Sequence, residues 1–252
     1  MPETFLILLA GGILLAAAVS NPREVTLQWL RLGGITALSA CGLAGFFFYR
    51  REAVDRHTLH AMLIAATVVA VLGQLAFVQI AWRGTQRFFS AASFVLSVVT
   101  ATKLIGTADG LPMAMALLAL AGVAAMTGLT LMDMLLGHAY LTASKMTIAP
   151  FLRLNRGVAI AILLRTLCAV VVTMLVQHWH PVEMLWGIQG LLIGTRWLVG
   201  LVVPAVFIYM AHDCIKRRST QSATGILYVA GVLIFIGEII ALNLVRETGL
   251  PF

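Results

Sequence analysis

Five ionisable residues, Lys103, Asp133, Arg165, Arg196 and Glu238, interrupt long apolar runs, and six histidines gather at the ends of such runs. A charge inside a membrane helix is costly enough that it pairs, reaches for the interface or serves a function. If the runs are helices rising about 1.5 Å per residue, Asp133 and Arg165 differ in depth by roughly 6 Å. An Asp133–Arg165 ion pair is the structural expectation. Glu238 is expected to pair with Arg196 or with Lys103, and left unpaired it would be a candidate proton carrier.

The histidines form two layers. His57 and His60 open the third apolar run and His178 and His180 close the sixth, at one surface, whereas His138 and His212 close the fifth and seventh at the other. Haem b takes two neutral imidazoles facing one another across a gap between helices. His60 with His178, and His138 with His212, are therefore the candidate cofactor-binding pairs, one near each surface, on an electron path to or from quinone. The competing reading is interfacial: histidines at helix ends are already explained by the helix dipole and by water. Met134 and His138, spaced i, i+4, with Met126, Met132 and Met146 nearby, form a soft set that would suit Cu(I). Methionine is also an ordinary filler of helix contacts, and no metal site is assigned.

These residues have to be positioned by membrane helices. The 252-residue chain is 61% apolar and only 11% charged, far from the roughly one-quarter charge of soluble domains. Because a hydrocarbon core of about 30 Å needs about 20 apolar residues, eight runs qualify, near 4–20, 27–48, 58–80, 88–106, 111–137, 157–178, 185–211 and 223–245. In lipid, backbone groups must be paired within the segment, so runs without strand alternation are helices. The expected fold is an all-α polytopic integral membrane bundle of about eight helices, a single transmembrane domain over 1–252. Residues 139–156 are expected to lie in the interface, with apolar Tyr140, Leu141, Met146, Ile148, Phe151 and Leu152 alternating with Lys145, Arg153 and Arg156.

Eight crossings leave both termini on one side. The opposite side holds nine basic residues, Arg23, Arg83, Arg87, Lys145, Arg153, Arg156, Lys216, Arg217 and Arg218, against Arg50, Arg51, Arg56 and Arg246 on the terminal side. Cytoplasmic loops are the basic ones, so both termini are expected outside. A bacterial cytoplasmic (inner) membrane is the expected location. The same clustering accounts for the net charge of +7 without nucleic acid. The first run has signal-peptide length but carries Glu3 where a positive region would stand, so it is expected to remain as the first helix. Cys41, Cys168 and Cys214 are too scattered for a disulfide framework or a metal finger. Gly190 and Gly194 make a GxxxG pattern that suits close helix packing, and Pro204 should kink the seventh helix.

No nucleotide-binding, hydrolase or metalloprotease motif is present, and no loop is large enough for a soluble catalytic site. Three readings remain. The first is an integral membrane subunit of an electron-transfer complex, binding quinone with or without haem b and docking other subunits. The second is a small-solute or ion transporter or channel with Asp133, Arg165, Arg196 and Glu238 along its path. The third is a ligand-free accessory or assembly subunit.

Overall fold

The computed structural model describes residues 2–21, 24–50, 58–105, 113–142, 147–179 and 188–248, and every regular element among them is helical. The helices are α1 (Pro2–Val19), α2 (Leu27–Tyr49), α3 (Thr58–Ile80), α4 (Arg83–Ile105), α5 (Met113–Thr142), α6 (Ala149–Trp179), α7 (Ile188–Trp197), α8 (Val203–Lys216) and α9 (Thr220–Thr248). A π-helical turn, Leu198–Val202, joins α7 to α8 so that Gly190–Lys216 is one crossing. Among the described residues eight helical segments are long and apolar enough to span a bilayer, and the chain is an all-α polytopic membrane bundle.

The helices close into two rings of four. In the first, α1 packs on α2, α2 on α3, α3 on α4 and α4 back on α1. In the second, α5 packs on α6, α6 on α8, α8 on α9 and α9 back on α5. The rings meet along α1 and α5. That contact is nearly backbone to backbone: a Cβ on Gly128 would stand 1.9 Å from the Gly12 carbonyl carbon, and one on Gly12 would stand 1.7 Å from the Ala124 carbonyl oxygen. Only glycine permits it.

Gly128→Ala is therefore expected to destabilise the fold. Overpacking typically costs about 1–3 kcal/mol, and here the obstacle is main chain that cannot rotate away. Gly42→Ala is the control, since nothing lies within 4 Å of a Cβ there, and alanine gains roughly 0.5–1 kcal/mol over glycine in a helix. Thermal unfolding in detergent should separate the two variants in opposite directions, and equal stability would mean that α1 and α5 can part freely.

The first ring is lined with hydroxyls. Gln86, Ser90, Ser93, Ser97 and Thr100 of α4 are fully buried on one helical stripe. Ser90, Ser93, Ser97 and Thr100 donate back to the carbonyls of Gln86, Phe89, Phe94 and Leu96, which hides their polarity inside the helix. Small side chains of this kind let α4 approach α1, where a Cβ on Gly11 would stand 1.7 Å from Ser97 Oγ.

Several helix ends differ from the sequence reading. The segment expected in the interface at 139–156 is largely helix: α5 continues to Thr142 and α6 already begins at Ala149, with Pro150 in its first turn. Proline is suited to that place because the first amides of a helix have no intrahelical acceptor. Lys145 and Met146 lie outside the described residues. The break in the seventh crossing is the π turn, followed by Pro204 in the first turn of α8. Proline has no N–H to give the carbonyl four residues back, and the widened turn absorbs that missing bond. Glu3, the acid at the start of the first run, is buried in α1.

Candidate functional site

The polar residues of the second ring form two clusters at different depths. The deeper one is built on Glu238 of α9. Its Oε2 accepts from Arg165 Nε at 3.3 Å and from Arg165 Nη2 at 3.2 Å, and its Oε1 accepts from Arg196 Nη2 at 2.8 Å. All three side chains are no more than 1% exposed. The cluster binds α6, α7 and α9 together and carries two guanidinium groups against one carboxylate. Glycines make room for it: a Cβ on Gly122 would meet Arg165 Cδ at 3.1 Å, and one on Gly200 or Gly237 would meet Arg196 Nη1 at 2.8 or 3.2 Å. Gly200 lies in the π turn and approaches the main chain of Gly237, so the irregular turn sits against the ion cluster.

The second cluster lies nearer the face opposite the termini. Asn155 of α6 donates from Nδ2 to Asp133 Oδ2 of α5 at 3.0 Å, and its Oδ1 stands 3.2 Å from His212 Nδ1 of α8. Asp133 and Asn155 are fully buried, whereas His212 is partly exposed. The chemistry orders the chain. With Asp133 as the carboxylate, which only accepts, the amide turns its NH2 to Asp133 and its oxygen to His212. His212 must then carry its proton on Nδ1, which leaves Nε2 of the neutral ring as an acceptor. Trp29 of α2 steadies the same level by donating from Nε1 to the Met132 carbonyl at 3.1 Å.

Beside His212 is a cavity of about 220 Å³ between α6 and α8, lined by Asn155, Arg156, Ala159, Ile162, Ala205, Ile208, Tyr209 and His212. Ala159 and Ala205 supply the space by being small. Tyr209 is 76% exposed on the outer surface of the bundle, so the cavity opens sideways between two crossings. Its floor is apolar, and its polar groups converge at one end on the imidazole, the amide and the Arg156 guanidinium.

The sequence-derived residues are distributed among these features as follows. The expected Asp133–Arg165 pair is replaced by Asp133–Asn155 and Arg165–Glu238. The reason is where α6 starts: Arg165 stands sixteen residues into α6 and Asp133 nine from the end of α5, a depth difference of roughly 10 Å at about 1.5 Å per residue. Glu238 does pair with Arg196. Lys103 is exposed near the end of α4 in the first ring and does not reach Glu238.

The histidine pairs do not come together among the described residues. His138 is exposed on α5, and His212 on α8 is held by Asn155; α5 and α8 stand across the second ring from one another. His60 lies on α3, edge-on to Phe48 with ring centroids 6.4 Å apart. α6 belongs to the other ring, and the side chain of its His178 lies outside the described residues, as do His57 and His180. Met126 and Met132 are buried in the apolar core, where Met132 packs over Gly33. Among the described residues no three His, Cys, Asp or Glu side chains group as a metal site. Gly194 of the GxxxG pattern has nothing within 4 Å of a Cβ position.

Asn155 is the residue that sequence reasoning missed. The signal was present as one amide in LRLNRG, with basic neighbours three residues apart at 153 and 156, as on a helix whose other side is buried. No protein-family model, curated protein or solved structure matches the chain.

Proposed function

We propose that the chain is a quinone-binding integral membrane subunit of an electron-transfer complex, with the cavity between α6 and α8 as the quinone site. The observation that carries this reading is the imidazole of His212 at the mouth of a laterally open apolar cavity, tethered through Asn155 to the buried Asp133. A quinone headgroup needs an apolar slot and a hydrogen-bonding partner at its oxygen, and its isoprenoid tail needs access from lipid. His212 Nε2 accepts from a quinol hydroxyl in the neutral ring, and as imidazolium it donates to a quinone carbonyl.

In this reading the cavity faces the cytoplasmic leaflet of a bacterial inner membrane, both termini are outside, and electrons pass to or from other subunits. A haem b contribution rests on the histidine layers alone, and the geometry of the described residues adds nothing to it. The test is quinone binding by the purified protein in mild detergent, followed by tryptophan fluorescence or redox difference spectra. Ala159→Leu with Ala205→Leu should fill the slot and abolish saturable binding while leaving the helical fold intact. Saturable binding that persists in the filled variant would reject this site.

A second reading, transport of a small anion, is favoured by the two guanidinium groups of Arg165 and Arg196 buried around Glu238. Uptake by proteoliposomes that is lost in Arg196→Gln would support it over the quinone reading. A ligand-free accessory subunit would show neither behaviour and would co-purify in a larger complex.

A further inference from the structure

A second cavity, of about 350 Å³, lies where the two rings meet, at the face opposite the termini. It is lined by α1 (Leu15, Val19, with Ser20 and Asn21 beyond its end), α5 (Leu129) and α6 from Pro150 to Ile160. Its lower walls are apolar. Val19 and Ile160 are more than half exposed on the bundle surface, so the cleft is open along its length. Its rim is basic. Arg153 and Arg156 line it, Arg153 pairs with Glu24, and Arg87 Nη2 donates to the Ser20 carbonyl at 2.9 Å. Arg153 and Arg156 thus stand on the rim itself and Arg87 is tied to its Ser20, with Glu24 the carboxylate bound to Arg153.

We propose that this cleft holds a phospholipid with an anionic headgroup, its phosphate at the Arg87–Arg153–Arg156 rim and an acyl chain along Val19, Leu15 and Ile160. Charge complementarity selects the occupant: the rim has uncompensated cations, the walls can meet only hydrocarbon, and both lie in register with a single leaflet. The anionic lipids of the cytoplasmic leaflet are drawn to basic side chains at the membrane surface, and the basic bias of this face marks it as cytoplasmic. The lipid would wedge between α1 and α6 and so reinforce the contact of the two rings.

Gly157 gives a clean test. A Cβ there meets only Leu129 Cδ1, at 3.9 Å, so Gly157→Leu should project into the cleft without displacing main chain. The delipidated full-length protein in detergent would be titrated with phosphatidylglycerol or phosphatidylcholine, with native mass spectrometry and thermal unfolding as readouts. The expected result is retained, stabilising phosphatidylglycerol on the native chain, little phosphatidylcholine, and loss of the bound lipid in Gly157→Leu. Arg153→Gln and Arg156→Gln should each weaken retention roughly fivefold, the effect of one basic side chain at an anionic surface. Equal retention of the two lipids, or unchanged retention in Gly157→Leu, would overturn the proposal. Equal stabilisation by inorganic phosphate would also overturn it, by showing an anion site that needs no lipid chain. Arg156 borders both cavities, but Gly157 borders only this one, so Gly157→Leu reports on the lipid independently of quinone.

Discussion

Glu238→Ala should be the most damaging single substitution in this protein. It removes the carboxylate that two guanidinium groups share, each no more than 1% exposed, and removing one partner of a buried ion pair costs about 3–5 kcal/mol. The cost arises mainly from the cations left behind, because Arg165 and Arg196 cannot both reach the surface from the middle of the ring. Replacing all three residues by apolar ones of similar volume, Arg165→Met with Arg196→Met and Glu238→Leu, should therefore recover most of the stability lost by Glu238→Ala. Thermal or denaturant unfolding in one detergent compares the three proteins. A Glu238→Ala protein as stable as the native chain would show that the cluster is not desolvated. A triple variant as unstable as the single one would show that the cluster contributes through specific geometry rather than through charge balance.

His212→Ala should weaken quinone binding by about tenfold to a hundredfold. A hydrogen bond to a charged group contributes about 1.5–3 kcal/mol, and each 1.4 kcal/mol or so is a factor of ten in affinity. His212 is partly exposed and forms the wall of the cavity, so the variant should fold normally and lose affinity alone. Asn155→Leu is expected to do both kinds of harm. It frees the imidazole from its tether, lowering affinity, and it removes the donor to Asp133 Oδ2 inside the ring, lowering stability. Equilibrium binding measured beside thermal unfolding resolves the two effects. Native affinity in His212→Ala would remove the imidazole from the site and with it the main support for the quinone reading.

The residues explain why some of this was legible in the sequence and some was not. Eight crossings could be read directly, because lipid offers backbone groups no partner and the apolar lengths were unmistakable. The ends were less secure. The start of α6 was read eight residues late, since Arg153 and Arg156 resemble loop charges. Long arginine stems lie along a helix and carry their charges outward, so α6 continues past the hydrocarbon with those residues on its outer side. That displacement put Arg165 at the wrong depth and paired it with the wrong acid. It also hid Asn155, which looked like a loop residue and is fully buried.

The amino-acid sequence alone determined the class of fold, the number of crossings and the costly polar residues that had to be accommodated, because hydrophobic length and charge are local properties. Only the tertiary structure decided which of those residues meet. Partner choice depends on the relative depth and rotation of helices distant in the chain, and these are set by contacts such as Gly12 against Gly128 and Gly200 against Gly237. Where two glycines let backbones touch, the side chains a turn or two away are brought into register. That packing places Arg165 and Arg196 on Glu238, Asp133 on Asn155, and His212 beside a cavity rather than across from His138.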